Sequence, residues 1–314
     1  MKLLYSVTYE DSGKLLKDIL KKKLYISNIL MKKLKMTSSI FVNDIPVFIN
    51  AKVFNNDKIT IDFDNLNNVI YNDKSNVYYQ KEKFLDKYPV YNIKLDIIYE
   101  DDYLLIVNKP AKIAVHPSCA NYDNALSNAV AFYLQREEIF SIHIVTRLDK
   151  NTSGICIFAK NEYVQELFIR KKDNIKLIKE YIAIVNNIID VPHGIIEKPI
   201  SRKKDSIILR EVSDTGDYAK TEYFLKGINK KENYSILKIL LHTGRTHQIR
   251  VHMASIGYVL LGDTLYSSEY GVSNIDKLIT RQALHAYKIS FYHPITNKYI
   301  ELVAPIPDDI QRLI

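Results

Sequence analysis

The segment Ile155-Cys156-Ile157-Phe158-Ala159 is apolar at every position and partly β-branched. Such a run, with no polar alternation, reads as a strand buried in a sheet, and it constrains the fold more than any other stretch. Directly before it stands a polar nonamer closed by a glycine, Thr146-Arg147-Leu148-Asp149-Lys150-Asn151-Thr152-Ser153-Gly154. On the other side of the nonamer, Ile142-His143-Ile144-Val145 reads as a second short strand. A charged loop held between two strands can bring Arg147 and Asp149 to one small polar site. A carboxylate beside a guanidinium stays ionised, and an ionised Asp can act as a nucleophile. The same pair can also be a structural tie across the loop, and the nonamer alone leaves both readings open.

The 314 residues suffice for one large domain and a small one. A net charge of +8, from 44 basic and 36 acidic residues, suits an anionic partner. The two cysteines, Cys119 and Cys156, are too few for a disulfide scaffold and stand in no metal-ligand cluster, so a reducing compartment is expected. Lys14, Lys17, Lys21, Lys22 and Lys23 interrupt every apolar run near the N-terminus, which argues against a signal peptide. No stretch approaches a membrane span. The expectation is a soluble, cytoplasmic protein.

Residues 1–61 read as a small module. Ser12 is placed to cap a helix whose apolar side is Leu15, Leu16, Ile19, Leu20 and Leu24, and Ser27 to cap a second with Leu30, Met31 and Leu34 inward. Lys21, Lys22, Lys32, Lys33 and Lys35 lie on the outer faces. Short strands follow at Ile40-Phe41-Val42 and toward Ile61, with turns at Asn43-Asp44 and Asn56-Asp57. A basic face of this kind can dock a phosphate backbone; it can equally be a solvated lysine surface. Residues 62–90, rich in Asn and Asp with no lasting period, read as a linker.

Residues 91–314 read as the large domain. Strands are expected at Leu95–Tyr99, Leu104–Val107, Ala114–Ser118, Lys179–Val185, Ile207–Val212, Lys220–Leu225 and Tyr234–Leu241, with turns at Gly216 and Gly227. Helices are expected from about Asp123 to Gln135 and Glu162 to Arg170. Many strands and few helices argue for an α+β fold, a mixed or antiparallel central sheet with helices packed on it. A second polar cluster, Thr243-Gly244-Arg245-Thr246-His247-Gln248-Ile249-Arg250-Val251-His252, enters a helix. His247 and His252 are five apart and no Cys or carboxylate sits at ligand spacing, which argues against zinc. Neither glycine-rich phosphate loop occurs.

The ordered set Tyr99-Glu100-Asp101, Asn108-Lys109-Pro110, Val115-His116-Pro117-Ser118, Arg147-Leu148-Asp149, Asn151 to Gly154, Lys179-Glu180-Tyr181, Ala219-Lys220-Thr221, Thr243 to Arg250, Gly262-Asp263 and Arg281 to Ala286 resembles the catalytic domain of the RluA-type RNA pseudouridine synthases over residues 95–306. Ser27, Leu34, Ile40 to Asn43 and Asp57-Lys58-Ile59 resemble the S4-type RNA-binding domain, with Asp44 and Asn56 where Gly is usual. The resemblance implies conversion of uridine in RNA to pseudouridine without cofactor or energy source. It places the nucleophile at Asp149, its basic partner at Arg250 and an aromatic partner of the base at Tyr181. It puts Arg147, Thr146, Arg245, His247, Lys109 and His116 on the substrate side. Thr146 departs from the usual His, and Lys112 from a usual Gly. The expected partner is structured RNA, ribosomal in the first instance, with no DNA and no membrane, and the protein is expected to be a monomer. The alternatives are a synthase for transfer RNA and a catalytically weakened RNA-binding assembly factor, the latter resting on Thr146 alone.

Overall fold

The computed structural model describes residues 1–64, 66, 91, 93–117, 124–135, 142–272 and 277–314. The chain opens on β1 (Lys2–Ser6), followed by α1 (Leu16–Lys22), α2 (Asn28–Met36), β2 (Ile40–Val42), β3 (Ile45–Pro46) and β4 (Lys58–Asp62). The four strands pair antiparallel in the order β1-β4-β2-β3. Leu16, Ile19, Leu20, Leu30 and Leu34 of the two helices are buried in the same core as Ile59 and Ile61 of β4. β1 is not evident in the sequence; it forms because it lies along the whole of β4, from Lys2 opposite Asp62 to Ser6 opposite Lys58.

Ser12 does not cap α1. The first amides of that helix donate to backbone carbonyls across the fold, Leu16 to Ala51 and Lys17 to Ile49, both at 2.8 Å. Tertiary backbone partners thus replace the side-chain cap, and the Ser12 hydroxyl accepts from the Asn55 amide instead. Ser27 does cap α2, its Oγ accepting from the Leu30 amide at 2.9 Å. Asp44 and Asn56 adopt the left-handed backbone that a glycine would take freely, with φ of 64° and 71°. Asn43 locks these turns together by accepting from the Lys58 amide and donating to Asp57. Lys112 is likewise left-handed, at φ 69°.

The large unit runs β5 (Ile97–Glu100), β6 (Leu104–Lys109), α3 (Leu126–Gln135), β7 (His143–Ile144), β8 (Ser153–Ala159), α4 (Glu162–Arg170), α5 (Lys172–Ile175) and β9 (Ile178–Asn186). It continues with β10 (His193–Glu197), β11 (Ile200–Arg202), β12 (Arg210–Val212), β13 (Lys220–Asn229), β14 (Tyr234–Leu241), α6 (Gln248–Ala254), α7 (Thr264–Glu269), β15 (Leu284–Tyr292), β16 (Tyr299–Val303) and α8 (Asp308–Gln311). A ten-stranded sheet has the order β10-β13-β14-β9-β15-β8-β6-β5, with β16 beside β15 and β7 beside β8. Only β8 and β15 pair in parallel among these strands, so the sheet is mixed and the fold α+β.

β8 is buried at all seven positions, as an unbroken apolar run requires. Gly154 lets it lie against β15: a Cβ there would fall 2.2 Å from the Ala286 carbonyl oxygen. Residues 114–117 are irregular, with a bend at Val115 and His116, and do not form a strand; Ser118 lies outside the described residues. α3 starts at Leu126, three residues later than expected; Asp123 is outside the described residues. Gly227 makes no turn. It sits at a bulge within the long β13, which continues to Asn229. Residues 207–209 of the expected strand Ile207–Val212 form the tip of the β11–β12 hairpin, so only Arg210–Val212 pair.

The N-terminal unit and the large unit share one core cluster. The Tyr163 hydroxyl donates to the Leu24 carbonyl at 3.0 Å, and its ring stacks on Phe63 at 4.9 Å. The Ser27 amide donates to Glu166, so α4 supplies a carboxylate to the front of α2. Lys33 pairs with Glu162 at 2.5 Å. Lys33 is therefore an interface residue rather than part of a free docking face. Lys21, Lys22, Lys32 and Lys35 are exposed. Phe63, within the expected linker, packs as part of the N-terminal unit; residues 67–90 lie outside the described residues.

Candidate active site

Asp149 sits in the loop between β7 and β8, and the loop is anchored on several sides. Its own turn closes through the Thr152 amide and the Asp149 carbonyl at 3.0 Å. Lys109, at the end of β6, donates to the Lys150 carbonyl at 3.0 Å and to those of Pro110 and Ile113 at 2.8 Å. Arg281 donates to the Asn151 carbonyl, Gln282 to the Thr152 hydroxyl, and Ser153 meets His285 Nδ1 at 2.9 Å. Lys109 was expected on the substrate. It is fully buried, and its ammonium is enclosed by three carbonyls, so it fixes the loop and does not face a ligand. Burial pulls its pKa down to about 8.

Arg250 projects from α6, which begins at Gln248. Its Nη1 donates to Asp149 Oδ2 at 3.1 Å, while Nε and Nη2 grip Asp263 at 2.6 and 2.8 Å. Burial by itself would disfavour the guanidinium charge; the Asp263 hydrogen bonds, with Asp149 adding to them, raise its pKa above the ordinary Arg value. Asp263 also caps α7 by accepting from the Tyr266 amide. The Tyr266 ring lies 4.9 Å from the guanidinium carbon, and its hydroxyl meets His247 Nδ1 at 3.0 Å. Asp263 and Tyr266 thus orient Arg250 and His247, a role that the motif Gly262-Asp263 did not reveal and that falls, for Tyr266, on a residue outside the motif set.

A cavity of about 360 Å³ opens over Asp149 and Arg250. Thr146, Arg147, Tyr181, Arg245 and His247 line it with them, so the two polar clusters converge as expected. Tyr181, on β9, is 7% exposed. Burial, with Asp149 nearby, pushes its phenol well above the ordinary value, and the ring stays neutral. His247 Nε2 stands 3.9 Å from Asp149; burial lowers the imidazole pKa, against the pull of the Asp149 charge. Arg245 is held by the Tyr218 carbonyl and Asp217 at 3.1 and 3.2 Å. Arg147 is exposed. The Thr146 hydroxyl accepts from the Ile157 amide at 2.9 Å, so it serves the edge of β8 rather than a ligand. His116 is exposed and is not part of this cavity wall.

Lys179 lines the cavity too, and among the described residues no carboxylate pairs with it. Burial lowers its pKa. The sequence placed Lys179 beside Tyr181 in one motif but offered no sign that its ammonium would stand without a partner. Among the described residues no three His, Cys, Asp or Glu side chains converge as a metal set, and no helix is long and apolar enough to cross a membrane.

A carboxylate oriented by a buried guanidinium, beside a neutral aromatic ring and two cations, Arg147 and Lys179, that no carboxylate pairs among the described residues, suits an enzyme site for an anionic substrate carrying a planar ring. The family model for RNA pseudouridylate synthase matches residues 103–255. The chain is 34% identical over 308 residues to an uncharacterized RNA pseudouridine synthase, YhcT, of Bacillus subtilis (strain 168), covering 98% of this chain and 94% of the relative. It is 36% identical over 232 residues to ribosomal large subunit pseudouridine synthase D of Haemophilus influenzae, covering 71% of each. The solved structure of human RNA pseudouridylate synthase domain containing 1 shares the fold, with a TM-score of 0.55 at 22% identity over 68% of this chain and 84% of that one. The chain belongs to the RNA pseudouridine synthase family. It is an isomerase that acts on uridine in RNA.

Proposed function

We propose that this synthase modifies uridines of large-subunit ribosomal RNA, with Asp149 acting on the target nucleotide. The carrying observation is the Asp149 carboxylate held 3.1 Å from a buried Arg250 that Asp263 fixes from behind. The names of relatives that act on the large ribosomal subunit support the substrate. The reading also puts the protein in the cytoplasm. Isomerisation breaks the bond from uracil N1 to C1′, turns the base and joins C5 to C1′; C5 gives up a proton and N1 gains one. A carboxylate can drive or hold the ribose intermediate while the base turns. Tyr181, kept neutral by burial, serves as a stacking face for uracil rather than as a phenolate base. Arg147, exposed at the rim, is free to fill the gap left by an extruded uridine or to pair with its phosphate. Mapping pseudouridines in cellular RNA with and without the gene tests the assignment. Loss of specific large-subunit sites is expected; loss confined to transfer RNA would move the substrate.

The N-terminal unit docks RNA through Lys21, Lys22, Lys32 and Lys35 in this reading. Because that unit shares a core with the catalytic one, point substitution is a cleaner test than truncation. Replacing the four lysines by Gln should raise KM for structured RNA and leave the saturating single-turnover rate unchanged. The slope of log affinity against log salt should shrink by as much as about 3. An unchanged slope would remove the unit from RNA docking.

Thr146 leaves an active enzyme, because the reactive set is complete without it. A His there could add a charge-assisted contact to RNA worth roughly 1.5–3 kcal/mol at most. It would also give up the hydrogen bond to Ile157, which costs about 1 kcal/mol of stability. Thr146→His should therefore hold or raise kcat/KM while slightly lowering Tm. Wild-type silence on all cellular RNA, with turnover restored in Thr146→His, would instead identify an RNA binder that has lost catalysis.

A further inference from the structure

A groove of about 530 Å³ continues from the Asp149 cavity and shares Arg147, Gly244 and Arg245 with it. Its wall includes Arg202 of β11 and Arg210 of β12. These two arginines face each other directly across an antiparallel pair, a placement that destabilises a sheet unless something neutralises it. Four guanidiniums line the groove against one carboxylate, Asp217, which Arg245 already holds at 3.2 Å. Among the described residues no carboxylate pairs with Arg147, Arg202 or Arg210. Among the described residues the Arg210 guanidinium donates only to the Ile208 and Leu209 carbonyls of its own hairpin, at 3.3 and 3.0 Å.

The hairpin is rigidly seated. Ile200 and Asp217 exchange two backbone hydrogen bonds of 2.9 Å, and a Cβ on Gly216 would fall 2.4 Å from the Ile200 carbonyl carbon, so only glycine fits beneath it. The Arg210 amide donates to the Tyr266 hydroxyl at 3.1 Å, the same tyrosine that packs on Arg250. At the hairpin tip Ile207 and Ile208 are 84% and 61% exposed. Unneutralised arginines beside unpartnered apolar side chains complement phosphates alternating with base faces.

We propose that this groove holds the RNA strand flanking the target uridine, with Arg202 and Arg210 on successive phosphates and the Ile207–Ile208 tip against a neighbouring base. The proposal rests on the Asp149 cavity being the uridine site, and it explains why two arginines oppose each other on β11 and β12. The test uses a fluorescein-labelled 12-nucleotide oligouridine and a labelled trinucleotide of the same base. Arg202→Gln/Arg210→Gln should weaken 12-mer binding roughly tenfold and cut its salt slope by about 1.4, two single-strand phosphate contacts. Trinucleotide binding should hardly change, and Tm should hold or rise as the cross-strand repulsion goes. Ile207→Ser/Ile208→Ser should weaken the 12-mer with no change in salt slope. Equal 12-mer affinity and slope in the arginine variant would overturn the proposal. These readouts need no turnover, so they stand apart from the Asp149 reading. If Asp149→Asn retained full activity, that reading would fail while the binding result still decided the groove.

Discussion

Asp149→Asn should bind RNA within a few-fold of wild type and show no measurable isomerisation. Asn keeps the size of the side chain, and its carbonyl oxygen can still accept from Arg250 Nη1, now at 3.1 Å from the carboxylate. Arg250 remains neutralised by its two hydrogen bonds to Asp263, so the fold has no buried orphan charge to disrupt it. The Asp149 side chain takes no part in the three contacts that Lys109, Arg281 and Gln282 make to the rest of its loop. What is lost is the anion and the nucleophile. Removing a single group from a cooperating catalytic set commonly lowers turnover by about 10⁴-fold or more. Tritium release from C5-labelled uridine RNA measures turnover, and filter binding measures affinity. Turnover near wild type would take Asp149 out of the mechanism.

Asp263→Ala should damage both stability and catalysis, and by different routes. The side chain of Arg250 is only 7% exposed and that of Asp263 1%. Truncating one partner of such a pair leaves the other charge buried, at a cost of about 3–5 kcal/mol. The α7 cap at the Tyr266 amide goes as well, adding about 1 kcal/mol. Arg250 would then lean on Asp149 alone, and the carboxylate meant for the nucleotide would be drawn into a structural pair. The folded fraction should therefore show a lower kcat with little change in KM, which a purely structural aspartate would not produce. Adding Arg250→Met should restore much of the stability, because both charges then leave the interior together. It should not restore activity. Thermal unfolding and single-turnover kinetics on the same preparations check the pair; full activity in folded Asp263→Ala would show that Arg250 needs no second partner.

The parts of this protein visible in its sequence are those governed by short-range physics. β8 is buried from Ile155 to Ala159 because its side chains there are apolar on both faces, and nothing distant can change that. The Ser27 cap, the extent of α4 and the left-handed turns at Asp44 and Asn56 follow from residues within a few positions of each other. The polar clusters around Asp149 and Arg250 were legible for a second reason, the order and spacing of many small motifs together. Ser12 shows where local chemistry stops. Its capping competence is real, but the backbone of residues 49–51 reached the α1 amides first.

Partner choice was settled by tertiary structure alone. Lys109, Lys33 and Lys179 are the same residue type, and in the sequence each is simply a cation. The fold encloses the first with three carbonyls, pairs the second with Glu162 across 129 residues, and leaves the third lining the cavity with no carboxylate paired to it among the described residues. Asp149 and Arg250 meet over a separation of 101 residues, and Asp263 completes them from the far side of α6. A charged side chain can reach any counter-charge that the backbone brings within about 4 Å, and its own neighbours in the chain do not encode which one arrives. The sequence by itself determined the buried strand β8, the polar loop before it and the reactive residue types. The packing of α6 and α7 against the loop decided which carboxylate is left to face the RNA and which one only holds its guanidinium in place.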